Sequence, residues 1–132
     1  MPYDKVKLVE ISLPLFDFGG GAAETYSFRL PTGMSAKLVK IGVGVTEVFA
    51  TDTTLGSVEI GTAADADAYA KLEIPDTSAD NDFIDETDDT DAIISKDIDA
   101  DTLIKVTLTN GTDSGSVTGQ GIPKLSFEMY EE

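Results

Sequence analysis

Asp97, Asp99 and Asp101 stand at alternate positions in "DIDADT", the spacing with which a calcium loop opens. A hard cation needs several oxygen ligands, and closely spaced carboxylates supply them. The same twelve-residue loop also requires Gly at its sixth position, for a sharp turn, and Glu at its twelfth, as a bidentate ligand. Thr102 and Leu108 occupy those positions, and the flanking segments have strand rather than helix patterns. A second acid-rich stretch, Asp65 with Asp67, has Tyr69 and Ala70 at the fifth and sixth positions. A third holds Asp80, Asp82, Asp85, Glu86, Asp88, Asp89 and Asp91. The expectation is solvated acidic loops with no bound metal, and Asp97, Asp99 and Asp101 as the first candidates should calcium bind.

Other chemistry fares worse. The chain has no His and no Cys, so Ser–His catalysis, thiolate metal sites and disulfides are excluded. Two carboxylates about 5–10 Å apart could hydrolyse a glycoside, and 25 acids will produce such pairs by chance. The aromatic lining of a sugar cleft is missing from the pattern: there is no Trp, and most Phe and Tyr sit at core parity. The glycine-rich pieces "FGGGAAE" and "IGVGV" lack the Gly-Lys-Ser/Thr that would make them phosphate loops. The chain is expected to be no enzyme and to carry no cofactor.

The net charge of −16 is unevenly placed. Residues 49–102 hold 16 acids and two bases, Lys71 and Lys96, while the other 78 residues hold nine acids and seven bases. That field repels nucleic acids and anionic membranes, so neither is an expected partner. No apolar run approaches the ~18 residues of a membrane span. The opening "MPYDKVKLVE" reads as a charged strand rather than a secretory leader, which points to synthesis and assembly in a cytoplasm.

The elements that would carry any site have a period of two. Val39, Ile41, Val43 and Val45 share one parity in "AKLVKIGVGVTEV", opposite Lys40, Gly42, Gly44 and Thr46. Tyr26, Phe28 and Leu30 alternate with Thr25, Ser27 and Arg29; Ile104, Val106 and Leu108 alternate with Lys105, Thr107 and Thr109. Leu125, Phe127 and Met129 form another inward row, as do Val9, Ile11 and Leu13. Shorter candidates are "SVEIG", "AYAKLEI" and "AIISKDI". Turn signals stand at "GGG" 19–21, "PTG" 31–33, "TNGTDSG" 109–115 and "GQG" 119–121. "TAADADAYAKL" is the best helix candidate, through its alanines, but it is short and reads equally as a single turn or as the start of a strand. The pattern predicts one all-β domain over residues 1–132, an antiparallel β-sandwich, jelly-roll-like, of about eight strands. A long acidic loop near 75–91 interrupts it, with Phe83 and Ile84 as a buried-looking pair, and a neighbouring subunit is the simplest thing to pin that loop. Gly42 and Gly44 make a flat strip that another backbone could approach, which suits a subunit contact.

The stretch "SVEIGTAADADAYA", preceded by "KLVKIGVGVTEVFATDTTLGS", resembles the head decoration proteins of tailed bacteriophages, also called cement or capsid-stabilising proteins. The resemblance covers about residues 35–75, with a weaker echo in 101–130. It implies a strand that runs into a short Asp/Ala turn and returns as the next strand. On that basis Gly61 would supply a positive-φ exit, Asp65 and Asp67 would accept backbone N–H bonds, and Tyr69 would pin the turn. The implied role is a trimer on the exterior of the virion, bound to the major capsid protein. The alternative is a receptor- or carbohydrate-binding module of a tail or fibre, because sandwiches host both. Phe16 and Phe18 in "LPLFDFGGG" are then the candidate platform; under the first role they suit an arm inserted into a neighbour.

Overall fold

The alternating segments fold as strands, and in the computed structural model the described residues contain no helix. Residues 7–20, 22–50, 54–75, 78–79, 81–88, 91–112 and 118–131 are described. The strands are β1 (Lys7–Ser12), β2 (Phe16–Asp17), β3 (Glu24–Arg29), β4 (Met34–Ala50), β5 (Ser57–Gly61), β6 (Ala70–Glu73), β7 (Phe83–Asp85), β8 (Asp97–Ile98), β9 (Leu103–Thr109) and β10 (Thr118–Glu131). One sheet has the order β1-β10-β4-β7, with β2 also on β10 and β8 also on β4; the other has the order β3-β9-β5-β6. Every pairing is antiparallel. With the two-residue strands β2 and β8 set aside, eight strands interleave between the sheets in the jelly-roll order.

The two inner faces share one cluster of buried side chains. Ile104, Val106 and Leu108 of β9, Val58 and Ile60 of β5 and Leu72 of β6 join Ile41, Val43 and Val45 of β4 and Leu125 and Phe127 of β10. Phe28 of β3 meets Phe127 edge-on, with centroids 5.8 Å apart, which ties the far ends of the two sheets together. Each such side chain contributes roughly 1.5–3 kcal/mol by leaving water.

Val39 departs from the expected parity. Lys40 lies opposite Ser126 and Leu38 opposite Phe127, so the register shifts and Val39 is the extra residue of a β-bulge. The inward row is therefore Ala36 and Leu38 before the bulge and Ile41, Val43 and Val45 after it; Val39 is exposed. Of the readings open for the alanine-rich stretch, the turn and the strand start hold: it is a turn and then β6, with no helix.

The acidic segment is held by its own chain. Phe49 N–H donates to Ser78 O (2.8 Å), Asn81 N–H to Val45 O (2.9 Å) and Val45 N–H to Asp82 O (2.8 Å). β7 then pairs with β4 at Gly42–Gly44, and Leu38 N–H donates to Lys96 O (2.7 Å) just before β8 pairs at Ala36 and Lys37. On the other sheet Lys71 N–H donates to Ala92 O, while Ile94 N–H and Ser95 N–H donate to Tyr69 O. One continuous acidic strap thus closes the edge of β4 and the edge of β6. No neighbouring subunit is needed to pin it.

Candidate functional site

Residues directly opposite in an antiparallel pair share a face. On the outer face of the larger sheet this gives a row Glu10–Ser126–Lys40 and a row Ser12–Lys124–Gly42–Asp85, with Leu8, Glu128 and Lys37 beyond the first. Asp97 extends the Leu8–Glu128–Lys37 row, so three lysines meet four acids there, and the face is close to balance in a chain of net −16. It also exposes Leu8 and Phe83.

Gly42 and Gly44 do lie on this face, and their strip is partly covered from within the chain. The ring of Phe83 lies across Gly42: a Cβ there would come 2.5 Å from its Cζ. Lys40 Nζ stands 5.4 Å from the same ring centroid and 3.0 Å from Asp85 Oδ2. Asp85 Oδ1 accepts from Thr87 N–H (2.9 Å) and Thr87 Oγ1–H (2.5 Å). Asp88 Oδ2 accepts Asp85 N–H, and Glu86 Oε1 accepts Ile41 N–H, beside the bulge. Asp85 and Glu86 thus tie β7 to β4, and Asp88 bonds back within the turn that follows β7. The three carboxylates serve backbone groups, one hydroxyl and one lysine.

Burial works to raise the Asp85 pKa, but the Thr87 hydrogen bonds and Lys40 outweigh it and hold the carboxyl below its usual value near 3.8. The hydrogen bond to Asp85 raises Lys40 against the opposing effect of burial. With its folded-state pKa depressed, Asp85 contributes stability fully present above the ordinary carboxylate range and lost as pH falls through its own lower pKa. Lys40, raised, contributes below the ordinary lysine range and loses that only as pH climbs through its higher folded value. Asp85→Asn should therefore melt lower than the parent at neutral pH, with the gap narrowing below about pH 4. Thermal melts from pH 2 to 8 test this; a constant gap across that range would show that Asp85 acts without its charge.

The other candidates lie elsewhere. Phe16 and Phe18 are buried, with centroids 4.7 Å apart, and Phe18 also meets Phe49 at 5.4 Å. They form the apolar end of the core and offer neither a sugar platform nor an inserting arm. Asp97, Asp99 and Asp101 are exposed, and the backbone oxygens of the last two accept Thr102 Oγ1–H and an Arg29 guanidinium N–H. Among the described residues no three acids converge in a metal-holding group. Asp80 and Asp89 lie outside the described residues. In the turn after β5, the Asp65 backbone carbonyl, not its carboxylate, accepts Thr62 and Ala68 N–H, while Asp65 N–H donates to Thr62 Oγ1. Gly61 has no positive φ. It is needed for space, because a Cβ would overlap the carbonyl oxygens of Asp65 and Ala66.

No family model matches the chain, and no curated protein matches it in sequence. Among solved structures it is similar to a chain of the cyanophage Pam1 capsid asymmetric unit, at TM-score 0.47 and 15% identity, over 93% of this chain and 84% of that one. It is also similar to a chain in the acid-stable capsid of the Helicobacter pylori bacteriophage KHP30, at TM-score 0.39 and 14% identity, over 96% of this chain and 100% of that one.

Proposed function

We propose that this chain is a head decoration protein of a tailed bacteriophage, a cement protein that bridges major capsid protein subunits on the outside of the assembled shell. The observation that carries the reading is the β5–β6 unit. The core of the segment in which the sequence resembles decoration proteins is built as strand, a hydrogen-bonded turn over residues 62–69 and returning strand, inside a jelly roll. The charge distribution agrees with the role. The strap carries the excess of acid along one side, and the outer face of the larger sheet, where Leu8 is exposed and three lysines stand among four acids, is left to meet a shell. The task is contact rather than catalysis, carried out on the virion exterior as a trimer that is assembled in the host cytoplasm. Many modest contacts repeated over a lattice make such bridging effective. Purified protein added to undecorated shells should cosediment with them and raise the temperature at which they break. Charge reversal at Lys124, which lies opposite the uncharged Ser12 and Gly42, should weaken binding without lowering the melting temperature of the free protein. Shells that neither bind the protein nor gain resistance to heat would overturn the reading.

A further inference from the structure

The strap closes one edge of each sheet, and because it is continuous, those two edges lie on the same side of the sandwich. The opposite side holds β1, the last strand of one sheet, and β3, the last strand of the other. Among the described residues no strand pairs with the outer edge of either. Unpaired edges are normally covered, blunted or used. Among the described residues this chain covers two and leaves two.

The open side also differs in charge. β1 carries Lys7 and Glu10, and β3 carries Glu24 and Arg29, one base and one acid on each. Three exposed leucines flank these edges: Leu8 on β1 at 63% exposure, Leu15 between β1 and β2, and Leu103 opposite Arg29 on β9. A second copy approaching the strap would meet its own excess of acid. Approaching the open side, it meets an edge strand of each sheet that carries one base and one acid, has apolar flanks and, among the described residues, has no strand on its outer backbone groups.

We infer that two copies of this chain join through this side, β1 of one copy lying beside β3 of the next. The contact is heterotypic, so it closes as a reciprocal pair or as a ring of three, and it gives the trimer of the proposed function a specific surface. The inference rests on that reading only for its trimer. The two fail separately: a monomer that binds shells overturns this inference alone, and an assembly that binds no shell overturns the function alone.

Sedimentation of the whole chain at tens of micromolar is expected to give the mass of two or three copies. Leu8→Asp charges the β1 edge and Ser27→Asp the β3 edge; both side chains are exposed, and Thr25→Asp stands in should Ser27→Asp not fold. Each variant alone should sediment as one copy, with a melting temperature close to a monomeric reference. Mixed together, they retain one intact β1 and one intact β3 and should form pairs but no larger species. Ile94→Asp, on the strap, should leave the assembly intact. A monomeric parent, or a Ser27→Asp variant that assembles like the parent, would overturn the inference.

Discussion

Phe18→Ala is expected to lower the unfolding free energy by about 3–5 kcal/mol, the usual cost of deleting a buried ring. That is a large share of the ~5–15 kcal/mol that holds an ordinary domain together. Phe18 has no exposed surface and touches both Phe16 and Phe49. Gly56 lies against the same ring, where an added Cβ would come 3.1 Å from its Cδ1, so backbone hems it in as well as side chains. Backbone around the site limits how far it can collapse into the space left, and poor collapse places the cost in the upper part of the range. Phe18 O also accepts Gly111 N–H, so the ring stands where the chain between β2 and β3 is bonded to the end of β9. Denaturant unfolding measures the loss. A variant within about 1 kcal/mol of the parent would mean that this ring is not core. A parallel test of any glycan ligand is uninformative at this position, because the substitution disturbs the core rather than a surface.

Much of the fold was legible because a half-buried strand writes its own pattern. Ile104, Val106 and Leu108 are buried as the alternation requires, and the outward Thr25, Ser27 and Arg29 are exposed. Val39 was illegible for a physical reason. A bulge inserts one residue without changing residue types, so parity read through it assigns the wrong face on one side. "GQG" at 119–121 reads as a turn, yet it lies inside β10, where Gly121 sits opposite Val45 in a crowded part of the sheet. Gly121 answers to tight packing against Val43, and Gly119 to a φ of 140° where the register shifts, rather than to a reversal of the chain. Phe16 and Phe18 looked like surface residues because they border a glycine run. The core cap they form depends on Phe49, 31 residues further on from Phe18, and no local pattern shows such a contact. The acidic strap is hidden from the sequence for a similar reason. Its composition is that of a solvated loop, but its attachment runs through backbone groups, which leave little trace in side-chain type. The Lys40–Asp85 pair has only a weak signal in sequence, a lysine at the head of a glycine-valine run in a chain whose following stretch has few bases.

Gly61→Ala is expected to cost about 3 kcal/mol, the upper end for forcing extra volume into a packed site. The obstruction decides the size. At Gly61 the new methyl group would overlap the carbonyl oxygens of Asp65 and Ala66, both main-chain atoms. Those atoms cannot turn aside, because the turn is tied from several directions: Thr62 and Ala68 N–H bond Asp65 O, and Tyr69 N–H bonds Ile60 O at 2.9 Å. Relief therefore requires opening the turn, which loosens β6 and with it the strap residues bonded to Tyr69 and Lys71. Gly42→Ala is the control. There the nearest atoms belong to the end of the Phe83 ring, a surface side chain free to swing outward, and only Ile84 O at 3.1 Å is main chain. Replacing Gly by Ala also stabilises by about 0.4–1 kcal/mol through the unfolded chain, which offsets the small local shift. The net effect at Gly42 should stay within about 1 kcal/mol, with Phe83 more exposed than before. Thermal and denaturant unfolding of the two variants, made side by side, give the comparison. Equal losses at both positions would mean that the turn after β5 yields as readily as a surface ring, and that the β5–β6 unit is not the rigid element from which the decoration reading starts.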